Sequence, residues 1–395
     1  MLESILFWCL LVVVYAYVGY GLVLWVMVRV KRWFRGKFTP PVLAEADLPE
    51  VTFLTAAWNE ERFMPEKIRN CLAFDYPRDK IRFLFVTDGS TDRTNEIVEQ
   101  FPYPADVRWD LHWTDQRDGK ISAVNRAMRR VDTPIVVFTD ANTDINPRGV
   151  RNIVRHYADP RVGAVAGEKR IQNAATADAT GAGEGLYWKY ESTLKRWDSE
   201  LYSVIGAAGE LFSIRTALYQ DVDPNTIIED FVMTVGLAAR GYRVRYEPEA
   251  IASEGQSANI GEELKRKIRI AAGGLQAVGR LWRVLLPFKN PLLTFQYISH
   301  RVLRWTLAPL ALPVILGINL YLAAQGSVPY QGLLVLQVAF YLFAGLGWYL
   351  ERRQLKFKPF FVPYYFCMMN YAVYRGFIRI VRRKQSVVWE RAKRA

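Results

Sequence analysis

The sequence predicts a mostly parallel α/β domain, Rossmann-like in its alternation, carried between α-helical membrane segments. Three observations predict it. Between about residues 50 and 250, short β-like runs alternate with helical patterns, which implies a parallel sheet with right-handed crossovers. Polar motifs follow one strand after another on the carboxyl side, the edge where open α/β sheets bind ligands. Both ends of the chain are rich in long apolar runs, which lifts hydrophobic content to 51% and aromatic content to 14%.

Ile5–Val28 holds no charged residue and is long enough to cross a bilayer, which takes about 20 apolar residues. A cleaved signal peptide would want a basic start and a shorter apolar core. Here the start carries Glu3, and the run ends in Arg29, Lys31, Arg32, Arg35 and Lys37. This reads as a retained anchor over residues 1–37, its N-terminus outside and the chain beyond it in the cytoplasm. A proline-marked linker leads to Pro49.

The α/β unit is expected over residues 50–258. Val51–Ala56 is the first strand, followed by Trp58-Asn59-Glu60-Glu61 and a helix to about Ala73. Ile81–Thr87 is the second, closed by Asp88-Gly89-Ser90-Thr91-Asp92, with Ser90 or Thr91 able to cap the next helix. Val107–His112 is a third strand, and Asp118-Gly119-Lys120 opens the helix Ile121–Arg130. Ile135–Phe138 leads into Thr139-Asp140-Ala141-Asn142. Val162–Ala166 and Val244–Tyr246 are further strands. Between them lie an aromatic helix over Gly185–Trp197, the small-residue turn Gly206–Glu210, and a helix opened by Glu229-Asp230.

Residues 259–300 read as amphipathic interfacial helices, and 301–351 as a transmembrane hairpin built from Trp305–Ala324 and Tyr330–Leu350. Residues 352–395 read as an interfacial or re-entrant segment with a basic tail. The net charge is +13, much of it beyond Leu350. Basic clusters beside apolar spans suit anionic lipid and the positive-inside rule, and no nucleic-acid-binding motif accompanies them. The expected location is the cell membrane, multi-pass, with the α/β domain cytoplasmic. Cys9, Cys71 and Cys367 match neither a disulfide framework nor a thiolate metal site.

The motifs share one rim. An aromatic such as Trp58 can stack on a base, and Asp88 can accept from a base N–H or a ribose hydroxyl. Lys120 can offset phosphate charge. Asp140 and Asn142 are two oxygen ligands at one strand end, suited to a divalent cation (Mg or Mn) held across a diphosphate. Asp230, with Glu229 beside it, is the candidate base for an incoming hydroxyl. Taken singly, each has a plainer reading: an Asp-Gly-Ser turn, a solvated lysine, a helix N-terminus that favours acids. Their order along one rim favours the nucleotide–metal site.

These motifs, Ala57-Trp58-Asn59-Glu60, Val86–Asp92, Asp118-Gly119-Lys120, Thr139–Asn142 and Ile228-Glu229-Asp230, resemble those of family 2 glycosyltransferases with the GT-A fold. With the membrane segments, the chain is similar to the hyaluronan, chitin, cellulose and poly-N-acetylglucosamine synthase group. The resemblance covers about residues 50–285 well and the C-terminal hairpin in outline. It implies inverting transfer from a UDP-sugar. It also implies a donor site of Ala56, Trp58, Glu60, Asp88, Lys120, Asp140 and Arg269, a metal motif of Asp140 and Asn142, and Asp230 as base beside Glu229.

The sequence departs from the family twice. The metal motif ends in Asn142 rather than an acid, with Asp144 as a possible substitute ligand. The interfacial Gln-x-x-Arg-Trp motif of processive members appears here as Arg266-Lys267-Ile268-Arg269-Ile270. Arg269 keeps the arginine, but the acceptor's aromatic platform is gone, leaving Trp282 or Trp188 as alternatives. The tail around Trp389 and Arg394 resembles a motif that approaches the donor site in the hyaluronan and chitin synthase branch, or else is a basic tail on lipid. Two activities are implied by the resemblance: extension of a polysaccharide with coupled export, or single transfer to a polyprenyl-phosphate or other lipid-linked acceptor. A catalytically dead sugar-nucleotide sensor is disfavoured because Asp88, Asp140 and Asp230 are all present.

Overall fold

The structure, a computed structural model, describes residues 1–171, 179–255, 259–353 and 358–382. Its centre is an eight-stranded sheet: β1 (Val51–Ala57), β2 (Ile81–Thr87), β3 (Arg108–His112), β4 (Ile135–Asp140), β5 (Asp144–Ile145), β6 (Val162–Ile171), β7 (Leu211–Arg215) and β8 (Arg243–Glu254). The order is β3-β2-β1-β4-β7-β6-β8-β5. Strands β3, β2, β1 and β4 are parallel, as are β6 and β8, while β7 runs antiparallel to both β4 and β6.

Strand β1 is buried along its whole length, as expected of a strand covered by helices on both faces. Its alternation divides two cores. Leu54 and Ala56 face the helices Lys120–Met128 and Glu229–Ala239, whereas Val51, Phe53 and Ala57 face Met64–Leu72, Thr94–Gln100 and Gly149–Val154. Each large apolar side chain buried there contributes roughly 1.5–3 kcal/mol. The register pairs Ala57 with Thr87 and Ala56 with Asp140, so the ends of β1, β2 and β4 stand level.

Two strands lie outside the sequence reading. The pair Asp144–Ile145 is too short to show periodicity. Leu211–Arg215 pairs only with residues far away in the chain, so nothing local announces it. Its position matters, because Leu211 registers with Thr139 and thereby brings the turn before it beside the metal motif. That turn needs Gly206, whose φ is +85° and whose Cβ, if present, would lie 2.1 Å from the Phe231 ring.

Among the described residues, three helices are long and apolar enough to cross a membrane: Leu2–Arg35, Leu307–Ala324 and Val328–Arg352. The first contains a π-helical turn, Tyr15–Gly19, where carbonyls are released from the α-helical ladder. Arg304 Nε donates to Ala16 O at 2.9 Å, and Tyr190 Oη donates to Tyr17 O at 2.7 Å. Arg32 binds both oxygens of Glu200 at 2.6 and 2.7 Å. Tyr20 bonds Asp198, which also pairs with His300 Nδ1 at 2.6 Å. Through Tyr20, Arg32 and Tyr190 the N-terminal helix is thus fastened to the helix Ala179–Leu201 by buried and part-buried polar contacts.

The predicted amphipathic helix is present as Ile260–Arg280, capped by Asn259, whose side chain accepts from Glu262 N. The apolar stretch after it, read as interfacial helix throughout, is a short turn at Trp282–Leu285 followed by the Asn290-capped helix Pro291–Tyr297. The segment Lys358–Val381 is a single helix through Pro363, packed on Ile260–Arg280 and Val328–Arg352.

Candidate functional site

The strand-end motifs converge. Lys120 opens its helix at the rim, and its Nζ lies 2.7 Å from Asp140 Oδ1 and 2.9 Å from Glu229 Oε1. The sequence reading gave Lys120 to phosphate and Asp140 to a cation, but here the two groups hold each other. Burial works against the Lys120 ammonium, yet Asp140 and Glu229 keep its proton affinity above the ordinary lysine value. Burial alone would raise the Glu229 carboxyl, but Lys120 and, more weakly, Arg269 hold it below the usual range.

Asp230 differs from Glu229. Burial, reinforced by the neighbouring Glu229 charge, pushes it up to about 7 against the pull of Lys120. A carboxylate with that proton affinity is matched to general-base work near neutral pH. Space is kept in front of it. A Cβ on Gly209 would lie 3.5 Å from Asp230 Oδ2 and 3.6 Å from Lys120 Nζ, so the missing side chain leaves room between base and ammonium.

On the nucleotide side, Asp88 is buried and its Oδ2 accepts from Gly119 N at 2.6 Å. Its Oδ1 is buried without a hydrogen bond, with Arg126 Nη2 3.6 Å away. Burial raises this carboxyl's proton affinity. An orphaned buried acceptor is costly, and a base N–H would satisfy it. Trp58 Nε1 donates to Gly89 O at 3.2 Å, and the Arg117 guanidinium stacks 3.3 Å from the Trp58 ring centroid. A base using that face displaces Arg117. Ala56 is buried in β1 level with Asp140, and Glu60 is buried where its backbone starts the helix Met64–Leu72.

The metal motif is supported from below. Lys67, 1% exposed, donates to Thr139 Oγ1 at 3.1 Å and Thr143 O at 2.6 Å, while Asn70 bonds both the N and the O of Ile145. Asp140 and Asn142 stand half-buried within this clamped loop, whereas Asp144 is exposed on β5. Among the described residues there is no group of three His, Cys, Asp or Glu side chains able to cage a metal. Asp140 and Asn142 instead suit a cation shared with a phosphate, a mode that needs only one or two protein oxygens.

Arg269 reaches the same end of the site, its Nη2 3.4 Å from Ile227 O. Ile270, standing where processive relatives carry tryptophan, is exposed. Trp389 and Arg394 lie outside the described residues. Glu210 closes the small-residue turn with no role evident in the sequence; the structure sets it beside Asp140 and bonds it to Lys169. An acid directly after a small-residue turn and before an apolar run was the available signal.

The motif order on this rim coincides with a family match over residues 49–273, more than half of the chain, to the model described as glycosyltransferase like family 2. The chain belongs to this family. Over 243 residues it is 28% identical to poly-beta-1,6-N-acetyl-D-glucosamine synthase of Staphylococcus aureus, covering 59% of this chain and 57% of that protein. The glycosyltransferase therefore spans little more than half the length of these curated relatives. It is 24% identical over 369 residues to the probable glycosyltransferase YdaM of Bacillus subtilis, covering 88% of this chain and 87% of that one. Among solved structures, it shares the fold of the mannosyltransferase PcManGT from Pyrobaculum calidifontis, solved with GDP-Man and Mn2+. That likeness has a TM-score of 0.73 at 24% identity, over 98% of this chain and 100% of the other.

Proposed function

We propose that the protein is a membrane-bound inverting glycosyltransferase that moves a sugar from a UDP-sugar to a growing saccharide, with Asp230 as base. The observation that carries this is the convergence of Asp230 with the Lys120–Asp140–Glu229 cluster, Gly209 leaving room in front of it. Asp230 takes the proton of the acceptor hydroxyl. That oxygen attacks the anomeric carbon from the face opposite the leaving group, and the bond to the diphosphate breaks with its electrons leaving on the diphosphate. Lys120 and Arg269, both at this end of the site, would offset the departing charge.

Asp140 and Asn142 would hold a divalent cation, which supplies Lewis-acid stabilisation of the leaving diphosphate when bound. Both the Mn2+ in the mannosyltransferase complex and the half-buried pair of oxygen-bearing side chains at the end of β4 support this assignment. Asp88 Oδ1 is the acceptor for the base N–H. The name of the staphylococcal relative supports a polysaccharide product. A lipid-linked acceptor with single transfer is the second reading, favoured by the absence of an aromatic at Ile270. Basic residues at the ends of the apolar helices support a cytoplasmic catalytic domain.

A panel of UDP- and GDP-sugars tests the donor. The purified protein should release UDP from one of them only with Mn2+ or Mg2+ present; release from GDP-sugars alone, or without a cation, contradicts the proposal. The pH profile tests the base. Because Asp230 works deprotonated and titrates at about 7, log kcat/KM should fall with unit slope below pH 7 and level off above it. A flat profile from pH 5.5 to 8 removes Asp230 from that role.

A further inference from the structure

A second polar cluster lies at the far end of the sheet. Strands β6 and β8 run in the direction of β4, because β7 is antiparallel to β4 and β6, and β8 is parallel to β6. Arg243, where β8 begins, therefore stands at the edge opposite the catalytic rim, its N–H donating to Arg161 O at 2.7 Å. Arg245, two residues on, leaves the strand on the same face. Arg243 Cζ lies 4.6 Å from the centre of the Tyr202 ring, and Arg245 Cζ 4.1 Å from that of Phe38. Lys31 joins them from the end of the N-terminal apolar helix. Its Nζ donates to Leu201 O at 2.8 Å, and Arg243, Arg245 and Arg35 are the cations acting on it.

The chain does not satisfy these two guanidiniums. Arg243 Nε and Nη2 and Arg245 Nε are buried with no hydrogen-bond partner. Among the described residues, the one side-chain hydrogen bond of the pair runs from Arg245 Nη1 to Ser199 O at 3.3 Å. Arg245 is 7% exposed, whereas Arg243 is half-buried and opens to the surface. Burial, then the Arg243 charge, pushes Arg245 down to about 10, and burial lowers Arg243 as well. The two acids that act on Arg245 are engaged elsewhere: Asp159 holds Arg161 through both oxygens at 3.0 Å, and Glu200 holds Arg32 through both of its own. Adjacent cations with unmet donors are costly unless an anion completes them. A phosphate group is suited to this, because its oxygens take several planar N–H donors at once. The position points to a lipid as its carrier. Trp33 and Phe34, 87% and 80% exposed, stand at the same helix end as Lys31, and such aromatics sit at the headgroup level of a bilayer.

We infer that Arg243 and Arg245, with Lys31 beside them, form a binding site for the phosphate of an anionic membrane lipid. The site is separate from the catalytic rim. It ties the far edge of the sheet, through the lipid, to the bilayer at the end of the helix Leu2–Arg35. It rests on the membrane-bound part of the proposed function and not on the transfer chemistry.

The test titrates the full-length protein, purified in detergent, with dioleoyl phosphatidylglycerol or dioleoyl phosphatidylcholine and reads the first bound lipid by native mass spectrometry. Phosphatidylglycerol should bind wild type about ten-fold more tightly than phosphatidylcholine, and Arg243→Gln or Arg245→Gln should each lose about ten-fold, the loss of one charged hydrogen-bonding group. Arg382→Gln, which removes the same charge at an exposed position of the C-terminal helix end, should bind as wild type does. Without lipid, Arg243→Gln should melt no lower than wild type, because it relieves the repulsion from Arg245. Equal affinity of wild type for the two lipids overturns the inference, and so does an equal loss in Arg382→Gln, which marks diffuse attraction. A lower lipid-free melting temperature in both Arg243→Gln and Arg245→Gln marks a structural role and overturns it too. Inorganic phosphate that raises the wild-type melting temperature as much as phosphatidylglycerol does overturns the lipid as the carrier. A chain that needs no detergent for extraction fails earlier, at the membrane-bound reading itself.

Discussion

Asp230→Asn should lower kcat about 10³-fold while leaving UDP affinity within about two-fold of wild type, because the amide keeps the shape of the carboxylate but accepts no proton. The same variant should be more heat-stable at pH 8. A carboxyl whose folded pKa is raised, here to about 7, favours the fold only in its protonated form. That contribution is lost as pH rises through 7, so at pH 8 the ionised group is a burden the amide does not carry. Melting curves at pH 5.5 and 8 check this: Asp230→Asn should gain on the wild type at pH 8 and gain less at pH 5.5. Wild-type turnover in Asp230→Asn would leave the base unassigned.

The second large effect is expected at Asp140. Asp140→Ala should lose activity at least about 10²-fold, the scale of removing one preorganised electrostatic group from a reacting centre. Two consequences combine. The oxygen pair with Asn142 is reduced to a single neutral ligand, and Lys120 loses the carboxylate 2.7 Å away while its contact with Glu229 remains. Raising Mn2+ should recover little of the loss, because Asn142 brings no charge of its own. Asp144 is exposed on β5 and stands as the neighbouring acid that the sequence offered in compensation. Full activity of Asp140→Ala at ordinary Mn2+ would shift the metal role there.

Much of the site was legible because turn chemistry and strand ends are local. Asp88, Lys120 and Asp140 each come after an apolar run, and a parallel sheet stacks such ends at one edge. Glu229-Asp230 could be read as a helix start, but their difference in proton affinity could not. That difference comes from burial, which raises Asp230, and from Lys120, more than one hundred residues earlier, which reaches Glu229 and holds it down. Strand β7 escaped notice for the same reason, as its partners Thr139 and Val165 are remote in sequence. The Arg117–Trp58 stack and the buried Lys67 look like ordinary solvated cations until the fold closes over them. At the membrane end, the long apolar helices were evident from hydropathy. The contacts of Tyr20, Arg32 and Arg304 that hold the N-terminal apolar helix were not.

Calorimetric titration of UDP with and without Mn2+, on wild type and Asp140→Ala side by side, tests the central claim most directly. The claim is that Asp88, Lys120 and Asp140 on this rim hold a nucleotide together with a cation. Wild type should bind UDP tightly only with Mn2+, and Asp140→Ala should bind it weakly and equally with or without the metal. Equal, metal-dependent binding by both proteins would contradict the account.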